Sequence, residues 1–219
     1  MVRPPSHCDG CRRRLAVWEL VPVVSWLALR GRCRTCERRI PVSVPAVEAA
    51  CGVLAAGAVA LLGPTWEAVA VAILAVVLVP VVVIDMRHRL IPDILVLPAT
   101  VLALVAAILA DPDRWWVPVV GAMGAAGFLL LLWAVHPAGM GLGDVKLAAL
   151  MGAVLGASVI PAFAIAFGAG AVLGLALLLR MGPRARKVAV PFGPFLAAGA
   201  LAALWVGPAL IDWYTGTIG

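Results

Sequence analysis

Two aspartates stand where apolar sequence gives way to charge. Asp85 closes an apolar run in Ile84-Asp85-Met86-Arg87-His88-Arg89-Leu90-Ile91-Pro92-Asp93, and Asp144 ends Gly139-Met140-Gly141-Leu142-Gly143-Asp144 just before Val145-Lys146. A carboxylate at the edge of an apolar segment is costly to hold and marks a functional site by default. Two carboxylates brought together resist joint ionisation, so one proton is shared. One then activates water as a base while the protonated one polarises a scissile carbonyl. The competing reading makes Asp85 and Asp144 loop caps or ion-pair partners of Arg87, Arg89 or Lys146; the residues alone leave both open. Gly141 and Gly143 carry no side chains beside Asp144, which leaves space for a substrate strand or a neighbouring helix. Lys146 is a candidate for supporting the site. Glu48, inside an apolar segment, is a candidate for orienting it or receiving a substrate's positive N-terminus, against a plain hydrogen-bonded structural acid. Asp93, directly after Pro92, is expected to cap the helix that follows.

Four cysteines form a second constellation. Cys8-x-x-Cys11 and Cys33-x-x-Cys36 are two CxxC pairs separated by 21 residues. Two-residue spacing lets both thiolates of a pair reach one ion from a tight knuckle, and two knuckles complete a tetrahedral Zn²⁺ site. Flanking arginines (Arg12, Arg13, Arg14, Arg32, Arg34) offset the thiolate charge. Disulfides are the alternative, disfavoured on a reducing cytoplasmic side. Such a site has no open position, so its zinc is expected to be structural. Cys51, alone in an apolar segment, reads as core packing.

Other chemistry lacks its residues. No Gly-Lys-Ser/Thr follows the glycines, so there is no phosphate loop. No HExxH occurs, His7, His88 and His136 are dispersed, and there is no Gly-x-Ser-x-Gly.

The elements that must position these groups follow from composition. Of 219 residues, 64% are hydrophobic and only 13% charged, against about 25% charged in a soluble domain. The chain is therefore read as an all-α polytopic membrane helix bundle, with 22 Gly suited to close helix packing. The first 14 residues are basic and not apolar, so no signal peptide is read and the N-terminus is expected in the cytoplasm. Apolar segments fall at 44–62, 66–84, 94–110, 116–135, 158–179 and 191–211, and a shorter one at Val145–Gly156 reads as a short or tilted half-span. The division expected is a cytoplasmic four-cysteine segment at 1–43 and a transmembrane catalytic domain at 44–219. The apolar stretch around Leu20–Leu29, interrupted by Pro22, is too short to span a bilayer.

Seven crossings from a cytoplasmic N-terminus put the loops 85–93, 136–144 and 180–190 inside, and sixteen of the 17 Lys and Arg with them; Arg114 alone falls outside. If Val145–Gly156 did not cross, the basic loop 180–190 would fall on the wrong side. Both aspartates then share the cytoplasmic face. Blocks of arginine between apolar segments read as membrane anchors, and no nucleic-acid partner is expected despite a net charge of +6.

Five stretches in order resemble bacterial type IV prepilin peptidases, membrane aspartic proteases of the GxGD type. They are CDGCRRRLAVWELVPVVSWLALRGRCRTCERRI, PAVEA at 45–49, IDMRHRLIPD at 84–93, GMGLGDVKLAALMGAVLG at 139–156 and VPFGPFLAAGA at 190–200. The resemblance implies that Asp85 and Asp144 are the catalytic pair. It implies that prepilins or pseudopilins are cut after the glycine of a short basic leader, at the cytoplasmic face of the bacterial inner membrane. It also implies methylation of the new N-terminus from S-adenosylmethionine. Members of this kind begin with a further hydrophobic helix ahead of the cysteines, where this chain starts at them; the expectation is a misplaced gene start or a shortened form. Two other classes compete. A proton-relaying transporter would place its acids near mid-membrane, and a zinc-dependent prepilin-binding protein would need no paired aspartates.

Overall fold

The computed structural model describes residues 6–137, 140–182 and 190–218. Arg3, Gly139 and the basic residues Arg184, Arg186 and Lys187 lie outside them. The chain divides into two compact units, Met1–Val53 and Leu54–Gly219.

The first unit is built on the two cysteine knuckles, which repeat the same backbone bonds twenty-five residues apart. Cys8 N–H donates to Arg13 O and Cys33 N–H to Arg38 O; Leu15 N–H donates to Ser6 O and Ile40 N–H to Gly31 O. Between the knuckles lie a 3-10 turn at Val17–Leu20 and a short helix α1, Val24–Ala28. The helix α2, Ser43–Leu62, begins in this unit. Its Glu48 accepts a 2.7 Å hydrogen bond from the Val23 N–H. This is why the compact unit extends past residue 43: the kink at Val23, where φ is +60°, is fastened to α2.

The second unit is entirely helical among the described residues. Its helices are α3 (Trp66–His88), α4 (Asp93–Ala110), α5 (Trp116–Val135), α6 (Leu142–Leu155), α7 (Val159–Met181) and α8 (Gly193–Ile218). The local signals explain the boundaries. Thr65 Oγ1 accepts from Ala68 N–H to start α3, and Asp111 caps the 3-10 turn that leads into α5. The glycine Gly156, at φ +54°, ends α6.

Five helical stretches are long and apolar enough to cross a membrane: Ser43–Leu62, Trp66–His88, Asp93–Ala110, Trp116–Val135 and Leu142–Met181, the last running through α6 and α7; Gly193–Gly207 is a shorter apolar helix. The chain is an integral membrane protein. Within this unit α6 is the central helix, packed against α3, α4, α5, α7 and α8, with Leu147, Ala148, Leu150 and Met151 fully buried. That position explains its 14 residues, about 21 Å at 1.5 Å per residue: a helix ringed by helices need not match the lipid thickness. Gly121 of α5 and Gly152 of α6 face each other so closely that a Cβ on either would overlap the other's backbone, the close helix approach that the glycine content implied.

Candidate active site

Three charged side chains are buried among the described residues: Glu19, Asp85 and Asp144. Glu19 has a full partner. Arg13 grips it bidentately at 2.7 and 2.9 Å, and the Ala16 N–H adds a third bond. Asp85 and Asp144 are equally buried, at 6% and 7% exposure, yet among the described residues neither is in an ion pair. Buried carboxylates without a cation are expensive, so the ion-pair reading with Arg87, Arg89 or Lys146 falls away.

What holds them is backbone. The helix α3 runs a turn further than the apolar pattern suggested, to His88, placing Asp85 in its last turn. There Asp85 Oδ2 accepts a 2.9 Å bond from the Gly193 N–H at the start of α8. Asp144 is the third residue of α6, and its Oδ2 accepts a 3.0 Å bond from Gly141 N–H, closing the first turn of its own helix. Neither Oδ1 is hydrogen-bonded among the described residues. Each carboxylate is thus fixed through one oxygen.

The two aspartates line one cavity of about 820 Å³, together with Arg89, Ile91, Asp93, Met140, Gly141, Gly143, Lys146 and Val190–Phe192. The end of α3 and the starts of α4, α6 and α8 therefore share one end of the bundle. Because α6 and α8 both begin there, α6 leaves that end and α7 returns to it. The short apolar segment forms α6; most of the basic loop 180–190 lies outside the described residues.

The two glycines of the motif do different work. A Cβ on Gly143 would sit 2.7 Å from Ile91 Cβ, whereas one on Gly141 would meet Asp144 Oδ2 at an ordinary 3.6 Å. Gly143 lets the α3–α4 turn nest on α6; Gly141 supplies an N–H. Asp93 departs from expectation. Pro92 occupies the cap position and no side chain caps α4; the Asp93 carboxylate instead takes Lys146 Nζ at 2.7 Å on both oxygens. One residue earlier in the chain Asp93 would cap; as the first residue of the helix it points across to α6. Lys146 is thereby a tie between α4 and α6 at the cavity rim. Glu48 belongs to the first unit, bonded to Val23.

Sequence reading missed Gly193. A Cβ there would lie 2.7 Å from Asp85 Oδ2, so any side chain at this position would have to displace the carboxylate. The available signal was a glycine between Phe192 and Pro194 at a helix start, inside a stretch already noted.

The cysteines come together as their spacing implied. The sulfurs of Cys8, Cys11, Cys33 and Cys36 all lie within 4.8 Å of one another, and Cys8 and Cys36 are 3.7 Å apart. A tetrahedral zinc with bonds of about 2.3 Å sets sulfurs about 3.8 Å apart, so the four thiols fit that ion and can hold a metal. Backbone N–H groups of Cys36 and Thr35 push the Cys33 thiol down to about 6, toward the thiolate a metal needs.

The chain is similar to known proteins over most of its length. Residues 1–62 match the bacterial peptidase A24 N-terminal domain, and residues 72–177 the type IV leader peptidase family. The prepilin leader peptidase/N-methyltransferase of Stutzerimonas stutzeri is 38% identical over 216 residues, covering 92% of this chain and 72% of that protein. The protein so named from Burkholderia pseudomallei (strain K96243) is 42% identical, covering 93% of this chain and 68% of its own length. That of Bacillus subtilis (strain 168) is 33% identical over 98% of this chain and 86% of its own. No solved structure matches the chain. Matched over most of its length by these relatives, the chain belongs to the type IV leader peptidase family.

Proposed function

We propose that this protein is a membrane aspartic endopeptidase that removes the leader of type IV prepilins or pseudopilins, with Asp85 and Asp144 as its catalytic pair. The observation that carries the reading is the shared cavity, in which two buried carboxylates, in no ion pair among the described residues, are each fixed through one oxygen by a glycine N–H. One carboxylate takes a proton from water as its oxygen attacks the scissile carbonyl carbon; the protonated partner gives its proton to the carbonyl oxygen. Collapse of the tetrahedral intermediate breaks the C–N bond and the proton passes to the departing amine. The placement of both carboxylates at one end of the bundle argues against a proton relay, which needs acids spaced through the membrane.

The distribution of Lys and Arg favours the bacterial cytoplasmic membrane with the N-terminus and the cavity facing the cytoplasm. Residues 1–43 act as a zinc-stabilised segment and 44–219 as the peptidase domain. The four thiolates would hold Zn²⁺ with no open position, so the ion would brace the segment and take no part in cleavage. The relatives' names add N-methyltransferase, and methylation of the new N-terminus from S-adenosylmethionine is the second activity proposed.

Incubation of the purified, membrane-reconstituted protein with a prepilin tests both activities through product mass. Cleavage subtracts the leader and methylation adds one methyl. An uncleaved prepilin, with the protein correctly inserted, overturns the peptidase reading.

A further inference from the structure

The first unit has a face that neither the cysteines nor catalysis uses. The turn Val17–Leu20 and helix α1 turn Glu19 and Trp26 inward: Glu19 to Arg13, and Trp26 Nε1 to Ile40 O, with its ring against Gly31. Outward they present Val17, Leu20, Val21, Val24 and Leu27, with exposures of 85, 50, 44, 62 and 62%. These five positions fall within residues 17–27, on both sides of the kink at Val23. Five large apolar side chains exposed on so small a unit mark an interaction surface.

The surroundings indicate the partner. Arg12, Arg14, Arg30, Arg32, Arg34, Arg38 and Arg39 are exposed in the same unit, against two exposed acids, Asp9 and Glu37, among the described residues. Arg34 lies 5.9 Å over the Trp18 ring. Ile40, the last residue of the second knuckle's backbone ladder, is three residues from Ser43, where a membrane span begins. Three residues reach about 10 Å, so the chain keeps the unit within about that height of the end of an apolar segment long enough to cross a membrane. Short apolar helical pieces with flanking arginines, held at that height, match the chemistry of an interfacial anchor on anionic lipid.

We propose that residues 17–28 form an interfacial anchor, burying Val17, Leu20, Val21, Val24 and Leu27 among the acyl chains of an anionic bilayer surface while the surrounding arginines meet its phosphates. The anchor sets the height of the cysteine centre above the membrane and is independent of the peptidase reading.

Amide hydrogen exchange of residues 17–29 in the full chain tests it. The chain is reconstituted in nanodiscs of phosphatidylcholine alone or of equal parts phosphatidylcholine and phosphatidylglycerol. Exchange is expected to slow about fivefold or more in the anionic discs, the effect of one or more arginines each contributing about 1 kcal/mol. High salt should weaken the slowing. Leu20→Asp with Leu27→Asp should abolish it while the bound zinc, the check on folding, is retained. Arg30→Gln with Arg32→Gln should remove the lipid dependence without touching the apolar face. Equal exchange in both lipids overturns the proposal. So does protection that survives the aspartate substitutions, since the face would then be covered by protein.

Discussion

The two units treat a buried acid in opposite ways. Glu19 is closed off: Arg13 and the Ala16 N–H take up its oxygens, and the guanidinium holds its carboxyl down at about 2. It comes from residues six and three positions away, so one short segment supplies both the charge and its answer. Asp85 and Asp144 are as buried but receive one amide each. For Asp85 that amide is 108 residues distant. A satisfied acid stabilises a fold; an acid left half-satisfied in a cavity retains the capacity to exchange a proton.

This contrast breaks most sharply at the pair. Asp85→Asn and Asp144→Asn should each lower leader cleavage by about 10³-fold or more, and the double variant should be no worse, because both serve one proton-transfer step. Each Asn keeps size and hydrogen bonding, so insertion should survive. Substantial cleavage by a correctly inserted single variant would remove the aspartic assignment.

Gly193→Ala is expected next in size. Its Cβ would press on Asp85 Oδ2, and a displacement of about 1 Å at a reacting group can cost about 100-fold. The loss should appear in kcat, with KM and melting temperature held. A variant with normal kcat would show that the amide merely packs.

In the first unit the largest change should come from the thiols. Cys33→Ser with Cys36→Ser should release the metal and lower the unit's stability by several kcal/mol, while cleavage chemistry at the aspartates persists. Full metal content, read by elemental analysis, would refute the four-cysteine site.

Asp93→Asn should retain cleavage, because the exposed tie to Lys146 contributes about 0–1 kcal/mol. An Asp93 variant as inactive as the Asp85 variant would reassign the pair.

The smallest effect belongs to Glu19. Its folded value lies below the ordinary 4.5, so its contribution is complete above about pH 4.5 and fades as the pH falls toward 2. In metal-free protein, Glu19→Gln should therefore lower the melting temperature near neutrality, with the gap to the parent closing in acid. A gap independent of pH would mean that the carboxylate's charge is not what matters.

Much of the molecule follows from sequence for a physical reason. Hydrophobic runs must become helices in lipid because every backbone group needs a partner within its own segment, and the helices α2 to α8 lie where the runs do, α6 included. Two-residue cysteine spacing encodes a local knuckle, so the four thiols meet without help from the rest of the chain. The aspartates were legible as charges set at the edges of apolar runs. Legibility ended where groups far apart in the chain meet. Asp93 was expected as a cap because local sequence offers only that role; its partner Lys146 stands 53 residues on. Gly143 was recognised as making room, but that the room belongs to Ile91 depends on how the α3–α4 turn descends on α6. Gly193 carries no side chain to announce itself, and its N–H becomes a ligand of Asp85 only because α8 starts where α3 ends. Sequence determined the helices, the thiols that can hold a metal and the carboxylates at the edges of apolar runs, since these depend on residue type and local spacing. Tertiary structure alone decided that the Gly193 amide meets Asp85, because that contact arises from helix packing that no local pattern encodes, whereas the Gly141 bond to Asp144 is local.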